Sequence, residues 1–174
     1  MGRVSLTAAA LIERLGLEPL PGEGGYFRRT HVSDECLAAA ALPERYGRAK
    51  PISTAIYYLL SDAPDSFSAL HRLPTDEVYH FYLGDPVELL TLGPAGASRL
   101  FVLGPDLAAG QRVQLAVPRG VWQGSRLAAG GRVALLGTTM APGYDPEDLE
   151  LGVQDELLAA HPERRDLIRA LTRD

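Results

Sequence analysis

The chain has 174 residues, with 17 Lys and Arg against 22 Asp and Glu and a formal net charge of −5, a hydrophobic share of 46% and a charged share of 22%. These are the proportions of a globular protein of one domain, large enough to bury a full core without metal or disulfide staples. The scattered basic residues exclude the basic patch of a nucleic-acid partner, and a single cysteine, Cys36, excludes an intrachain disulfide. The first twenty residues lack the basic stretch and apolar run of a signal peptide. No apolar run approaches the roughly 18 residues of a membrane span. A single domain over 1–174 in the reducing cytoplasm, away from membranes, is the expectation.

A helix is predicted over 5–17. Ser5 or Thr7 can cap it, Leu6, Leu11 and Leu15 fall on one side, and Gly16 can end it. Pro19, Pro21, Gly22, Gly24 and Gly25 then form a turn-rich stretch before a short strand over 26–32. Residues 34–50 mix an Ala-rich run with Pro43 and Gly47, which reads as a loop with a helical turn.

From residue 53 the texture becomes β. Short apolar or alternating segments occupy 53–60, 65–71, 77–83, 87–92, 99–103, 112–117, 121–127 and 133–140, divided by Gly, Pro or Asp turns. That spacing predicts a sandwich, barrel or jelly roll. The segment Ala55-Ile56-Tyr57-Tyr58-Leu59-Leu60 has no polar side. Its second face therefore needs cover from a terminal helix, the other sheet or a second subunit, and a homodimer is expected. A closing helix over 155–172 is interrupted near Pro162.

Side chains two apart on a strand share a face. Glu77, Tyr79, Phe81 and Leu83 therefore fall on one side and Val78, His80 and Tyr82 on the other. By the same parity His71 groups with Ala69 and Phe67, and Gln123 with Ser125. A pocket lined by His71, Glu77, Tyr79, Gln123 and Ser125 follows. His71 and Glu77 are the candidate catalytic pair, because proton abstraction beside a carbonyl needs titratable groups in a mostly apolar pocket. Tyr79, Gln123 and Ser125 are the candidate ligand-binding residues. His80 and Trp122 point away from that face, and His31 and His161 sit in polar, turn-like contexts that read as surface.

His71, Glu77 and Gly84 stand at fixed intervals, and Pro118, Gly120 and Gln123 form a second motif. These resemble the two motifs of the cupin superfamily, His-x-His, three or four residues, Glu, six residues, Gly, and Pro-x-Gly-x-x-His. Leu73 and Gln123 replace two histidines of that pattern. The segments Gly22 to Thr30, Ser53 to Leu60, His71 to Leu73, Asp76 to Pro86, Val117 to Gln123, Met140 to Asp145 and Leu149 to Gly152 together resemble the cupin-5 branch over about residues 20 to 152. The resemblance implies an RmlC-like double-stranded antiparallel jelly roll flanked by terminal helices, a homodimer, and a pocket around His71, Glu77 and Gln123. It implies a small-molecule ligand and supplies no reaction. Three readings stand at this point. The first is a sugar-derivative epimerase or isomerase, and the second a non-catalytic binding or sensing protein. The third is a cupin enzyme with a weakly held divalent metal on His71, Glu77 and Gln123; one imidazole, one carboxylate and one amide are a poor donor set.

Overall fold

The computed structural model describes residues 7–173. Helix α1 (Ala8–Leu15) starts at Thr7, whose hydroxyl accepts from the Ala10 N–H at 3.2 Å, and ends at Gly16 with φ 59. A hydroxyl acceptor and a left-handed glycine are the expected caps of a short helix. Ser5, the other predicted cap, lies outside the described residues.

Two sheets carry the chain. The larger has the order β1 (Glu18–Pro19), β2 (Tyr26–Val32), β5 (Thr54–Ser61), β12 (Val133–Met140), β7 (Glu77–Gly84), β10 (Gln114–Val117). The smaller runs β13 (Glu150–Leu151), β6 (Ser68–Arg72), β11 (Trp122–Leu127), β8 (Val87–Leu92), β9 (Ser98–Leu103). A two-stranded ribbon, β3 (Cys36–Leu37) with β4 (Lys50–Pro51), sits apart. Every pairing between named strands is antiparallel. The stretch predicted as a loop with a helical turn holds this ribbon and two single 3₁₀ turns, Ala39–Ala41 and Glu44–Tyr46.

The inner faces meet in a core of Tyr58, Leu60, Phe81, Val87, Leu89, Leu103, Leu115 and Leu136, all buried. The outer faces are covered differently. On the larger sheet α1 lays Leu11 on Leu59 and Leu135. This explains why β5 reads apolar on both sides: Tyr58 and Leu60 face inward while Leu59 lies beneath the helix. On the smaller sheet the predicted closing helix is two helices, α2 (Gln154–Ala160) and α3 (Arg165–Ala170), joined at Pro162. Pro cannot continue the ladder of backbone bonds. Leu157, Ile168 and Leu171 from this pair cover Leu70, Leu90 and Leu92.

Three local expectations are corrected. Leu83, grouped by parity with Glu77, Tyr79 and Phe81, packs instead with Leu11, Leu59 and Leu135 under α1, because the register of β7 against β12 shifts just before it. His161, read as a surface residue, is buried at the break between α2 and α3, where its N–H donates to the Leu157 carbonyl at 2.9 Å. The face parity of β6 is also broken. Gln123 pairs with His71, and two residues on, Ser125 pairs with Ser68, three residues back, so β6 carries one extra residue. Such a bulge re-aims side chains. Here it turns Ser68 and His71 to the inner face together, while Phe67 and Leu70 pack beneath the C-terminal helices.

Leu136 lies in the middle of the larger sheet and is fully buried. Leu136→Ala should cost about 2–5 kcal/mol, read from the urea midpoint at unchanged slope. A loss under about 1 kcal/mol would show that the core closes around the missing atoms.

Candidate functional site

Register builds a graded interior. On the larger sheet one inner row runs Thr54, Met140, Glu77, Val117 and the next runs Arg29, Ile56, Thr138, Tyr79, Leu115. The row after that is Phe27, Tyr58, Leu136, Phe81. Facing them, the smaller sheet supplies His71, Gln123 and Thr91, then Ser68, Ser125, Leu89 and Phe101. One end of the barrel is therefore polar and the other apolar.

The polar end holds a cavity with about 50 Å³ open to the centres of water-sized molecules, lined among others by Glu23, Tyr58, His71, Glu77, Tyr79 and Tyr144. At roughly 10–15 Å³ per water on this measure, it admits several waters or one small ligand. A whole sugar nucleotide would not fit inside.

His71 is the centre of this end. Its Nδ1 lies 2.8 Å from the Ala69 carbonyl oxygen and 4.0 Å from Glu23 Oε1. Its Nε2 lies 3.9 Å from Glu77 Oε2. Burial opposes the charged ring, but Glu23 first and Glu77 next outweigh it and raise the pKa to about 9. The ring is thus a cation at neutral pH, set between two carboxylates. Burial pushes the Glu23 carboxyl up, against the pull of His71 and with the repulsion of Glu77. Ser68 Oγ donates to Glu23 Oε1 at 2.8 Å, and Gln123 Nε2 donates to Glu77 Oε2 at 2.7 Å. Burial, reinforced by nearby carboxylates, holds the Tyr58 and Tyr79 hydroxyls well above their ordinary range.

Two loops complete the walls. Glu23 arrives on the turn between β1 and β2. There Tyr58 Oη donates to the Gly24 carbonyl at 2.9 Å, and a Cβ on Gly25 would lie 2.7 Å from that hydroxyl. Gly25 also has φ 70, so a glycine is needed twice over. Tyr144 arrives on the segment after β12. Its N–H donates to Thr54 Oγ1 at 2.9 Å, and the fully buried Lys50 holds Asp148 at 2.7 Å and Asp145 at 3.3 Å a few residues on. Burial raises the Tyr144 hydroxyl to about 12.

The structure brings His71, Glu77 and Tyr79 to one cavity wall. Gln123 meets that wall through Glu77 and does not itself line the space. Ser125 lies on the same inner face of β11, outside the lining, and neither its Oγ nor Gln123 Oε1 has a partner among the described residues. His80 is on the outer face, with Nε2 3.1 Å from Thr139 Oγ1 and Nδ1 3.2 Å from Gln114 Nε2. Sequence reasoning did not single out Glu23, Tyr58, Tyr144 or Arg29. The one visible signal was a carboxylate set among glycines, Gly22-Glu23-Gly24-Gly25.

The profile of the Cupin_5 family, described as cupin superfamily (DUF985), matches residues 9–152, and the chain belongs to that family. It is similar to a hypothetical protein from Leishmania major, at 30% identity and TM-score 0.84, over 97% of this chain and 99% of that one. It is similar to a protein from Shewanella oneidensis at 32% identity and TM-score 0.83, over 96% and 98%. Oxalate decarboxylase from Bacillus subtilis shares the fold alone, at 12% identity and TM-score 0.51, over 89% of this chain and 37% of that one. No curated protein matches the sequence. No helix among the described residues is long and apolar enough to cross a membrane.

The metal that the superfamily pattern implies does not fit the donors present. Leu73 offers carbon where a histidine is expected. Glu23 and Glu77 lie beside different ring nitrogens of His71, so they do not converge on one point. Gln123 turns its N–H toward Glu77. Among the described residues no group of three or more His, Cys, Asp or Glu is placed to hold an ion.

The His71 pKa, about 9 folded against 6.5 ordinarily, fixes a sign. A raised folded value gives stability that is complete below the ordinary value and is lost as pH rises through the folded one. Unfolding free energy should therefore fall between pH 6.5 and about 9, by an amount on the order of 3 kcal/mol at 1.36 kcal/mol per unit. His71→Gln should flatten that slope in urea melts taken across the range. An unchanged slope would show that the ring is neutral in the fold.

Proposed function

We propose that this cupin is an enzyme that moves a proton on a small polar metabolite, as an epimerase or isomerase does. The observation that carries the reading is His71 set between Glu23 and Glu77 at the inner end of a small cavity. Glu77, held by Gln123, is the base that takes a proton from the carbon beside a carbonyl. The electron pair of that C–H bond moves into the carbonyl, whose oxygen is stabilised by the His71 Nε2–H or the Tyr79 hydroxyl. Return of that proton by Glu77 to the neighbouring carbon gives the isomer, while a proton delivered to the opposite face of the same carbon by a second acid, His71 or Tyr79, gives the epimer. Positioned acid–base groups of this kind contribute about 10²–10⁴-fold.

The second reading is a non-catalytic binding or sensing protein using the same cavity. It is favoured by how little room the cavity offers for a substrate to turn. One experiment separates the two. Small hydroxy-carbonyl compounds are incubated with the protein in D₂O, and loss of the α-proton signal is followed by NMR. Catalysis predicts washout that falls by about 10²-fold or more in Glu77→Gln, with the fold retained. Binding without washout favours the sensor.

We place the protein in the cytoplasm as a homodimer. A reducing compartment suits the exposed, unpaired Cys36. The dimer reading rests on the outer face of the larger sheet beyond α1. There Tyr57 and Tyr82 meet edge to face at 6.1 Å, His80 stacks on Tyr82, and Arg28 lies over Tyr57 at 5.6 Å. Tyr82 is 49% exposed. Tyrosine and arginine are enriched in protein interfaces, and a second copy of the chain is the occupant. Light scattering should give twice the chain mass, and Tyr82→Glu should shift it toward the monomer. A monomer mass for the unaltered protein at micromolar concentration would end this reading.

A further inference from the structure

The cavity has a charge polarity along its length that the proton-transfer reading does not use. Its inner end carries acceptors, Glu23 and Glu77, each with one oxygen already bonded and one left over. Its mouth carries Arg29, the sole Lys or Arg of the lining among the described residues. Arg29 is placed there by strand register. It shares the inner row with Ile56, Thr138 and Tyr79, whereas its neighbour Arg28 turns outward over Tyr57. Strand β1 pairs only with Tyr26 and Phe27, so the edge of β2 is open at Arg29. Arg29 makes no ion pair among the described residues, while Arg48, Arg72 and Arg126 are each held by a carboxylate. The neighbouring Tyr144 hydroxyl feels its charge. Arg29 is exposed to solvent at this mouth, as Arg28 is on the outer face.

An unpaired guanidinium at the mouth and spare carboxylate oxygens at the floor orient a ligand. An anionic group pairs with the fork of Arg29, because guanidinium binds carboxylate and phosphate through two parallel N–H donors. Hydroxyl donors at the other end meet Glu23 and Glu77. Reversed, the anion would face two carboxylates against the single imidazolium of His71.

We propose that the ligand is a small hydroxylated organic anion, of about the size of a three-carbon acid, bound with its carboxylate or phosphate on Arg29 and its hydroxyl end at the His71–Glu77 floor. The assignment rests on the reading of this cavity as the working site, and it names the ligand's charge and orientation.

Isothermal titration of the full chain at near-neutral pH with glycerate, glycerol 3-phosphate and glycerol tests it. At least one anion should bind about tenfold or more tighter than neutral glycerol, which is roughly 1.4 kcal/mol. Which anion leads tells carboxylate from phosphate. Arg29→Gln should remove that preference. Arg29→Lys, which keeps the charge and loses the fork, should keep part of it and guards against a variant that fails to fold. The proposal is overturned if neither anion binds better than glycerol, if none of the three binds, or if the preference survives in Arg29→Gln. Proton washout in D₂O with no anion preference would sink this assignment and leave the catalytic reading standing. Anion binding through Arg29 with no washout would do the reverse.

Discussion

A buried imidazole between two carboxylates, Glu77 buried and Glu23 half-buried, is the constraint around which this fold is arranged. Taking ionised groups out of water is costly unless each finds a partner, and removing one partner from such a set costs several kcal/mol. The structure meets the demand with donors and acceptors from separate elements. Ser68 and the Ala69 carbonyl come from β6, Gln123 from β11, Glu77 from β7 and Glu23 from the turn before β2. The bulge in β6 follows from this requirement. With plain alternation Ser68 and His71 would face opposite ways, and Glu23 would lose either its hydroxyl donor or its cation. The glycines of the β1–β2 turn follow as well, since a Cβ at residue 25 would collide with the hydroxyl that secures the Gly24 carbonyl.

The polar end is closed by a second set of charges held away from the first. Lys50 is fully buried and ties Asp145 and Asp148, while Arg48 reaches Asp145 and Glu147 from the exposed side. The result is a strap that carries Tyr144 against Thr54. Strength in that strap serves position more than stability, because a buried ion pair offers little over an apolar pair of the same shape. The apolar end needs no such devices. Leu136, Phe81, Val87 and Leu103 fill it, and the terminal helices seal both sheets from outside.

Much of this was legible before any coordinates. The alternation in β7 put Glu77, Tyr79 and Phe81 on one face, the motif spacing joined His71 to Gln123, and the apolar β5 announced that both its sides are covered. What escaped has a physical reason in each case. Glu23 sits in a turn, where no periodicity says which way a side chain points. Parity misled for β6, and for Leu83 at the end of β7, because a bulge leaves no mark in the residue types. His161 was hidden because the break at Pro162 buries the junction it was expected to expose. Arg29 looked like one of two strand arginines, and only register separates it from Arg28.

The two departures from the superfamily motifs act together. A second imidazole at residue 73 would face the cavity that Leu73 now lines with carbon. A third at residue 123 would stand where a neutral amide now donates to Glu77. Three imidazoles and a carboxylate suit a metal cation. One imidazole with a carboxylate beside each ring nitrogen suits a proton. Glu23 is the part that completes the exchange, because a lone His71–Glu77 pair would leave Nδ1 facing only the Ala69 carbonyl. With Glu23 present, the two carboxylates outweigh the cost of burial and raise the His71 pKa to about 9.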